Sequence, residues 1–362
     1  MINQIEPWIN EDELIQLKRV IDSTFVTEAG LTKEFEELTK KLTNSKHAIS
    51  MTNGTAALYC ALKALDIGPG DEVIIPDMTF IATANAVILA GAKPVLCDIY
   101  FDTLCMNVEV AEELISDKTK VIMPVHLYGQ SADMEKIINL AHKHDLFIIE
   151  DAAQGVGVTF NDTHVGTFGD LGILSYYGNK TITCGEGGIV LTNDDTLAQK
   201  CYRLKNHGRD KKGLFIHEHI GFNFSFTEMQ AAIGISQMKK LDRIIEKKKT
   251  INKIYHDELK EIPELKPIKI DQRCNPVYWF TSYLVDDNKP FRKYLEKNKI
   301  QTRKFFYPLH LQPCYENSNL IQINDSPVSK MVFDLGISLP SSYSLNEEQQ
   351  NYIVSKIKKF FS

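Results

Sequence analysis

The sequence predicts an α/β fold in which a large unit built on a mainly parallel sheet is followed by a small α+β unit. Three observations carry that expectation. Apolar segments at 73–75, 94–97, 121–123 and 146–149 recur about every 25 residues. They are apolar throughout rather than alternating, as strands covered on both faces are. Helical patterns fill the gaps between them, at 55–65, 80–90, 108–115 and 134–144.

Taken in order, the chain opens with a helix over 11–23, where Leu14, Leu17, Val20 and Ile21 fall at helical spacing. A second helix covers 32–42, with Thr32 as its N-cap. The βα alternation then runs from 46 to about 192. It ends in an apolar strand over 171–177, a turn at Gly178-Asn179, the single Lys180, a glycine-rich run (Gly185-Glu186-Gly187-Gly188) and a strand over 189–192. Residues 215–226 alternate in places, and Thr227 opens a helical run over 228–241. A charged amphipathic helix follows over 241–259. Three prolines within 262–280 mark the passage between units. The tail reads as a strand (279–285), a helix (289–298), a strand and loop (301–311) and a closing helix (346–361). The expected division is a large α/β unit over 1–240 and a small α+β unit over 241–362.

Composition narrows the function. Hydrophobic residues make up 43% of the chain and charged residues 24%, ordinary for a globular protein. A net charge of −6 with interspersed signs leaves no footprint for nucleic acid or an anionic membrane. No apolar run approaches the ~18 residues that span a bilayer, and the acidic start lacks the pattern of a signal peptide. The 7 cysteines, at 60, 97, 105, 184, 201, 274 and 314, contain no CxxC pair and read as reduced thiols of a cytoplasmic protein. No metal-binding pattern stands out. His217-Glu218-His219 lacks zinc spacing. Asn179 also stands where a P-loop requires glycine before its lysine.

In parallel sheets ligands bind beyond the carboxyl ends of strands, and the polar residues gather there. Asn53-Gly54-Thr55 precedes an Ala-rich helix, so its backbone N–H groups can cradle a phosphate or serve as an ordinary cap. Asp151 and Gln154 follow the strand at 146–149, where a carboxylate can face a ligand or cap a helix. Ser175 lies five residues before Lys180, so both can face one cavity. A lysine between buried strands is unusual. Desolvation would favour its free amine, which can attack a carbonyl and form a Schiff base. A phosphate cradle, a carboxylate for a pyridinium nitrogen and an amine for an aldehyde are together the demands of pyridoxal 5′-phosphate.

The motifs NGTAAL (53–58), GPGDEVIIPDMTFIAT (68–83), PVHLYGQ (124–130), EDAAQ (150–154), GTFGDLG (166–172), GNKTITCGEGG (178–188), NHG (206–208) and GFNFSFTEMQAAIG (221–234) occur in this order. Through them the chain resembles, almost end to end, the DegT/DnrJ/EryC1/StrS family of sugar aminotransferases. The resemblance implies the aspartate-aminotransferase-like fold, PLP fold type I. It also implies that Lys180 carries the cofactor as a Schiff base and Asp151 pairs the ring nitrogen. Gln154 would lie by the ring hydroxyl and Phe80 would stack on the ring, while Gly54, Thr55 and Ser175 hold the phosphate. Asn223 resembles the asparagine that reaches the neighbouring subunit's cofactor, which implies a homodimer with shared sites.

The stretches YGNKTIT and TRKFFYPLHLQP (302–313) look most like those of members that aminate a nucleotide-linked 4-keto-6-deoxyhexose with L-glutamate as donor. This likeness implies substrate roles for Phe306, Tyr307 and His310. Lys304 stands where those members usually have proline, and Cys184 where they often have threonine or serine. The rival expectations are the same reaction on a small phosphorylated ketone or a 3-keto sugar, and a non-catalytic sensor that keeps the fold.

Overall fold

The computed structural model describes residues 1–362 except 211, 212, 214, 287 and 317. Helices α1 (Glu11–Ser23) and α2 (Gly30–Thr43) lead into β1 (His47–Met51), α3 (Gly54–Ala64), β2 (Glu72–Pro76), α4 (Ala82–Leu89) and β3 (Lys93–Cys97). Then come α5 (Val108–Glu113), β4 (Thr119–Ile122), α6 (Met134–His144), β5 (Phe147–Asp151), and the short β6 (Thr159–Phe160) and β7 (Thr163–His164). Strands β8 (Leu171–Ser175) and β9 (Gly188–Thr192) precede α7 (Asp195–Lys205) and α8 (Glu228–Leu259). The rest comprises β10 (Leu265–Pro267), β11 (Cys274–Asn275), β12 (Thr281–Val285), α9 (Asn288–Lys297), β13 (Arg303–Lys304), α10 (Pro327–Leu335), β14 (Gly336–Leu339) and α11 (Glu347–Phe361).

Seven strands form the central sheet in the order β1-β9-β8-β5-β4-β2-β3. Among them β9 alone runs antiparallel to its neighbours, pairing Ser175 with Gly188 on one side and Ser50 with Ile189 on the other. The parallel strands are buried almost throughout, which is why they read as continuous apolar runs. Strand β1 had no separate signal in the sequence. Its HAISM pairs along its whole length with β9 and so completes the sheet edge.

Side-chain caps start the helices where the sequence offers them. Asn53 accepts the Ala56 N–H at 2.9 Å, Asp133 starts α6 and Asp194 starts α7, and Thr227 with Gln230 forms a capping box on α8. Thr32 is not the N-cap of α2. It lies inside the first turn, buried, and Ala29 occupies the cap position. Glu228 caps that helix from a distance, its carboxylate accepting the N–H groups of Ala29, Leu31 and Thr32, each at 2.8 Å.

The two helices expected to meet at Leu241 are one unbroken helix, α8, of 32 residues. No glycine or proline interrupts it after Gly234, and Leu241, Ile244, Lys248, Ile251, Tyr255 and Leu259 make one continuous buried stripe. Leu241 and Ile244 belong to the core under the central sheet, whereas Ile251, Tyr255 and Leu259 belong to a second core with β12, β14 and α11. The small sheet runs β10-β12-β14-β13. A third cluster joins Met78, Leu127 and Tyr128 to Trp279, Phe280 and Phe305, closing the space between the large sheet and the C-terminal elements. The alternation at 215–226 produces no strand among the described residues, only a bridge between Asn206 and Asn223.

Candidate active site

The carboxyl ends of the parallel strands and the start of β9 surround a cavity of about 730 Å³. Residues 52–56 enter it after β1 and Thr79, Phe80 and Thr83 after β2, while Asp151 ends β5 and Gln154 follows it. Ser175 enters from the end of β8 and Lys180 from the β8–β9 connection. The C-terminal elements contribute Trp279, Arg303 and Phe306.

Lys180 is placed by a connection that is hydrogen-bonded across its own width. Its backbone N–H donates to Tyr177 O at 2.9 Å, Cys184 N–H to Tyr176 O at 2.9 Å and Tyr176 N–H to Gly187 O at 2.9 Å. The Lys180 Nζ lies 4.3 Å from the centre of the Trp279 ring, and the Trp279 Nε1–H is fixed by Asn179 O at 2.6 Å. Burial lowers the Lys180 pKa to about 8; Asp151 opposes this shift, and Arg303 adds to it. Relative to the ordinary value of 10.5, that raises the free-amine fraction at neutral pH roughly 300-fold.

Asp151 is buried and its pKa is raised, first by desolvation. Its Oδ2 accepts Thr83 Oγ1–H at 2.8 Å and its Oδ1 accepts Ala153 N–H at 3.1 Å. Neither of these donors is a cation; the Lys180 charge pulls the other way, and burial outweighs it. The neighbouring Glu150 is spent on structure. It accepts the N–H groups of Gly166, Phe168 and Gly169 at 2.6 to 2.8 Å, together with His126 Nε2–H at 2.9 Å. The Ala132 N–H on His126 Nδ1 fixes that tautomer. Gln154 Oε1 accepts the Tyr128 N–H at 2.6 Å.

At the other end of the cavity α3 begins at Gly54. The N–H groups of a first helical turn have no intrahelical acceptor, and Gly54 and Thr55 line the cavity together with Ser175. A Cβ on Gly54 would stand 3.2 Å from Ser175 Cβ and fill this cradle. Gly188 serves the same approach from below, since a Cβ there would meet the backbone of Asn53 and Gly54. The three demands read from the sequence therefore meet in one cavity: an amine of depressed pKa, a buried carboxylate bonded only to neutral donors, and a helix start with a hydroxyl beside it. The residues fit pyridoxal phosphate.

Phe80 lies on the cavity rim, 55% exposed, with its ring centre 5.9 Å from that of Phe306. Asn223 is exposed outside the cavity, between Phe222 and Phe224, which line it. Tyr307 packs edge-on against Phe333, away from the lining. His310 is turned to Asp77, whose Oδ2 pairs with its Nδ1 at 2.6 Å, and Ser329 Oγ–H donates to the same oxygen. This arrangement clamps the C-terminal segment to the end of β2. Lys304 lies over the Phe333 ring, and Cys184 is buried in the core. Trp279, Arg303, Thr83 and Glu186 line the cavity without having been picked out from the sequence. Arg303 has no ion-pair partner among the described residues.

A family model described as the DegT/DnrJ/EryC1/StrS aminotransferase family matches residues 7–358. GDP-perosamine synthase of Vibrio cholerae is 38% identical over 371 residues, covering 100% of both chains. GDP-perosamine synthase of Escherichia coli O157:H7 is 37% identical over 361 residues, covering 99% of this chain and 98% of the other. Among solved structures, an aminotransferase from Psychrobacter cryohalolentis superimposes with a TM-score of 0.93 at 30% identity, covering 98% of both chains.

Proposed function

Because the chain belongs to the DegT/DnrJ/EryC1/StrS aminotransferase family, we propose that it moves an amino group from L-glutamate to the keto group of a nucleotide-linked 4-keto-6-deoxyhexose. The product would serve cell-surface polysaccharide synthesis in the cytoplasm. The enzyme is a PLP-dependent sugar aminotransferase. The observation that carries the reading is the meeting of Lys180, Asp151 and the Gly54–Ser175 cradle in one cavity. Similarity over the whole chain to two GDP-perosamine synthases supports a nucleotide-linked sugar as the acceptor.

In this reading Gly54, Thr55 and Ser175 hold the phosphate, Asp151 faces the ring nitrogen, Gln154 the ring hydroxyl and Phe80 the ring face. Bound there, pyridoxal phosphate supplies an electron sink and a carrier for the amino group. Lys180 would hold the cofactor through its amine, and that amine, when free, is the group in the cavity placed to take up and give back a proton. A pKa near 8 suits both directions at neutral pH. Asp151, kept from water and bonded only to neutral donors, would favour a protonated ring. Trp279 and Phe306 exclude water from one side, and Arg303 offers an unpaired guanidinium to an anionic substrate group.

Phe80, Tyr177, Phe222 and Phe224 are aromatic residues of the cavity lining that keep surface exposed. Phe80 and Tyr177 are 55% and 49% exposed there. Exposed aromatic rings in a cavity lining mark a contact surface, and this supports a homodimer in which Asn223 reaches the neighbouring site. The test follows absorbance of the purified protein with pyridoxal phosphate, then glutamate, then a panel of ketones. A bound-cofactor band that glutamate bleaches and only a nucleotide-linked 4-keto sugar restores is the expected result. Restoration by a small phosphorylated ketone or a 3-keto sugar instead overturns the acceptor. No band at all overturns the role of Lys180.

A further inference from the structure

Lys248 is a buried lysine that the reaction does not use. It sits on α8 between the residues that pack under the central sheet and those that pack under the small one. Only 3% of it is exposed, and no carboxylate pairs with it among the described residues. Burial lowers its pKa to about 7. Its Nζ donates to two main-chain carbonyls, Trp279 O at 3.2 Å and Ser341 O at 3.0 Å. One precedes β12 and the other follows β14, adjacent strands of the small sheet.

A long side chain that gives up its freedom and its hydration to hold two carbonyls costs stability unless something depends on those carbonyls. What depends on the first is the indole over Lys180. Trp279 follows Tyr278, whose φ of 46° puts a bulky residue in the left-handed region. A conformation of that kind persists only where its surroundings enforce it. Before the kink, Val277 N–H is tied to Gly129 O at 2.9 Å. After it, Lys248 holds the Trp279 carbonyl. The indole is thereby presented to Asn179 O on its nitrogen side and to Lys180 Nζ on its face.

We propose that Lys248 is a positioning residue for the reactive lysine: by holding the Trp279 carbonyl it keeps the indole over Lys180 and water away from it. The proposal rests on Lys180 being the reactive amine. Tyr255 supplies an internal control. It lies two turns further along the same stripe of α8 and grips the same segment through Pro340 O at 3.0 Å, without touching Trp279.

The chain has 2 tryptophans, Trp8 and Trp279, so a Trp8→Phe background isolates the emission of Trp279. In that background the apoprotein is mixed with pyridoxal phosphate across pH, and turnover is measured on the holoenzyme. Lys248→Met is expected to red-shift the emission and raise the pH midpoint of cofactor attachment above about 8, because a displaced indole admits water to Lys180. It should also lower kcat about tenfold with both KM values nearly unchanged. Lys248→Arg should restore part of each effect, and Tyr255→Phe should produce none of them. Emission and midpoint at wild-type values in Lys248→Met, with only the melting temperature reduced, overturn the proposal. If Lys248→Met does not fold, Trp279→Phe decides: it keeps the carbonyl that Lys248 holds, and an unchanged midpoint overturns the proposal. Absence of cofactor attachment in the parent protein is a different result, and it overturns the reading of Lys180 itself.

Discussion

Burial sets most of the behaviour of Lys180, and two charges modify it with signs that yield separate predictions. Asp151 stabilises the ammonium, so Asp151→Asn should move the pH midpoint of cofactor attachment below about 8. Arg303 disfavours it, so Arg303→Gln should move the midpoint upward and also raise the KM of an anionic substrate. Opposite shifts in stopped-flow absorbance would bear out the electrostatic account, and parallel shifts would refute it. Lys180→Ala should abolish turnover while the protein still binds the cofactor non-covalently, as equilibrium dialysis would show. Asp151→Asn should slow turnover about 100-fold with little change in melting temperature. These residues were legible because each follows a strand end and carries a distinctive functional group. Trp279 and Arg303 were not: one opens the strand expected at 279–285 and the other lies in the stretch at 302–313, but neither pattern marks that residue as facing the cavity. They reach the cavity only through the way the small sheet docks, and no spacing along the chain encodes that contact.

At the scale of the element, Glu228 shows how one helix can be started by a side chain from another. It stands in the first turn of α8 and supplies the acceptors that α2 lacks. Burial alone would raise its pKa, but hydrogen bonds from Thr32, Leu31 and Ala29 outweigh burial and hold it below the usual carboxylate value. Its contribution is therefore complete above the unfolded carboxylate range and is lost as pH falls through the lower folded value. Glu228→Ala, which leaves three N–H groups without acceptors, should cost about 3 kcal/mol. The difference from wild type should shrink in urea titrations as pH drops from 6 towards 3, and a constant difference would refute the role. The βα alternation was readable because period and burial agree there. The single long α8 was not, since charged residues on its outer face hide the continuity of its buried stripe. Thr32 misled because a threonine before an apolar run resembles a cap, and the true acceptor lies 196 residues away.

For the whole molecule, the exposed aromatic residues of the cavity lining predict a dimer by sedimentation, with neither protomer complete alone. Mixing a Lys180→Ala protomer with an Asn223→Asp protomer tests this directly. In the mixed dimer one site has both its own lysine and the partner's asparagine intact, so activity absent from each parent should return in part. No recovery after verified subunit exchange would show that Asn223 does not cross to its neighbour. The expected division at 240/241 falls within α8, and we propose that the long helix itself joins the two units. Composition offers no sign of such a join, because a helix crossing between cores needs neither glycine nor proline.

The lone antiparallel strand of the central sheet has one more consequence. Because Ser175 is paired with Gly188, both ends of the segment that bears Lys180 are anchored in one ladder, like a loop of rope tied off at neighbouring posts. Connections that leave a parallel strand for a distant helix can lengthen or drift over generations without disturbing their neighbours. This one cannot, since adding or deleting a single residue would swing the amine away from Asp151 or unzip the ladder. Natural variants of this enzyme should therefore differ in length almost anywhere before they differ between residues 175 and 188, and library selections that permit insertions should recover none there.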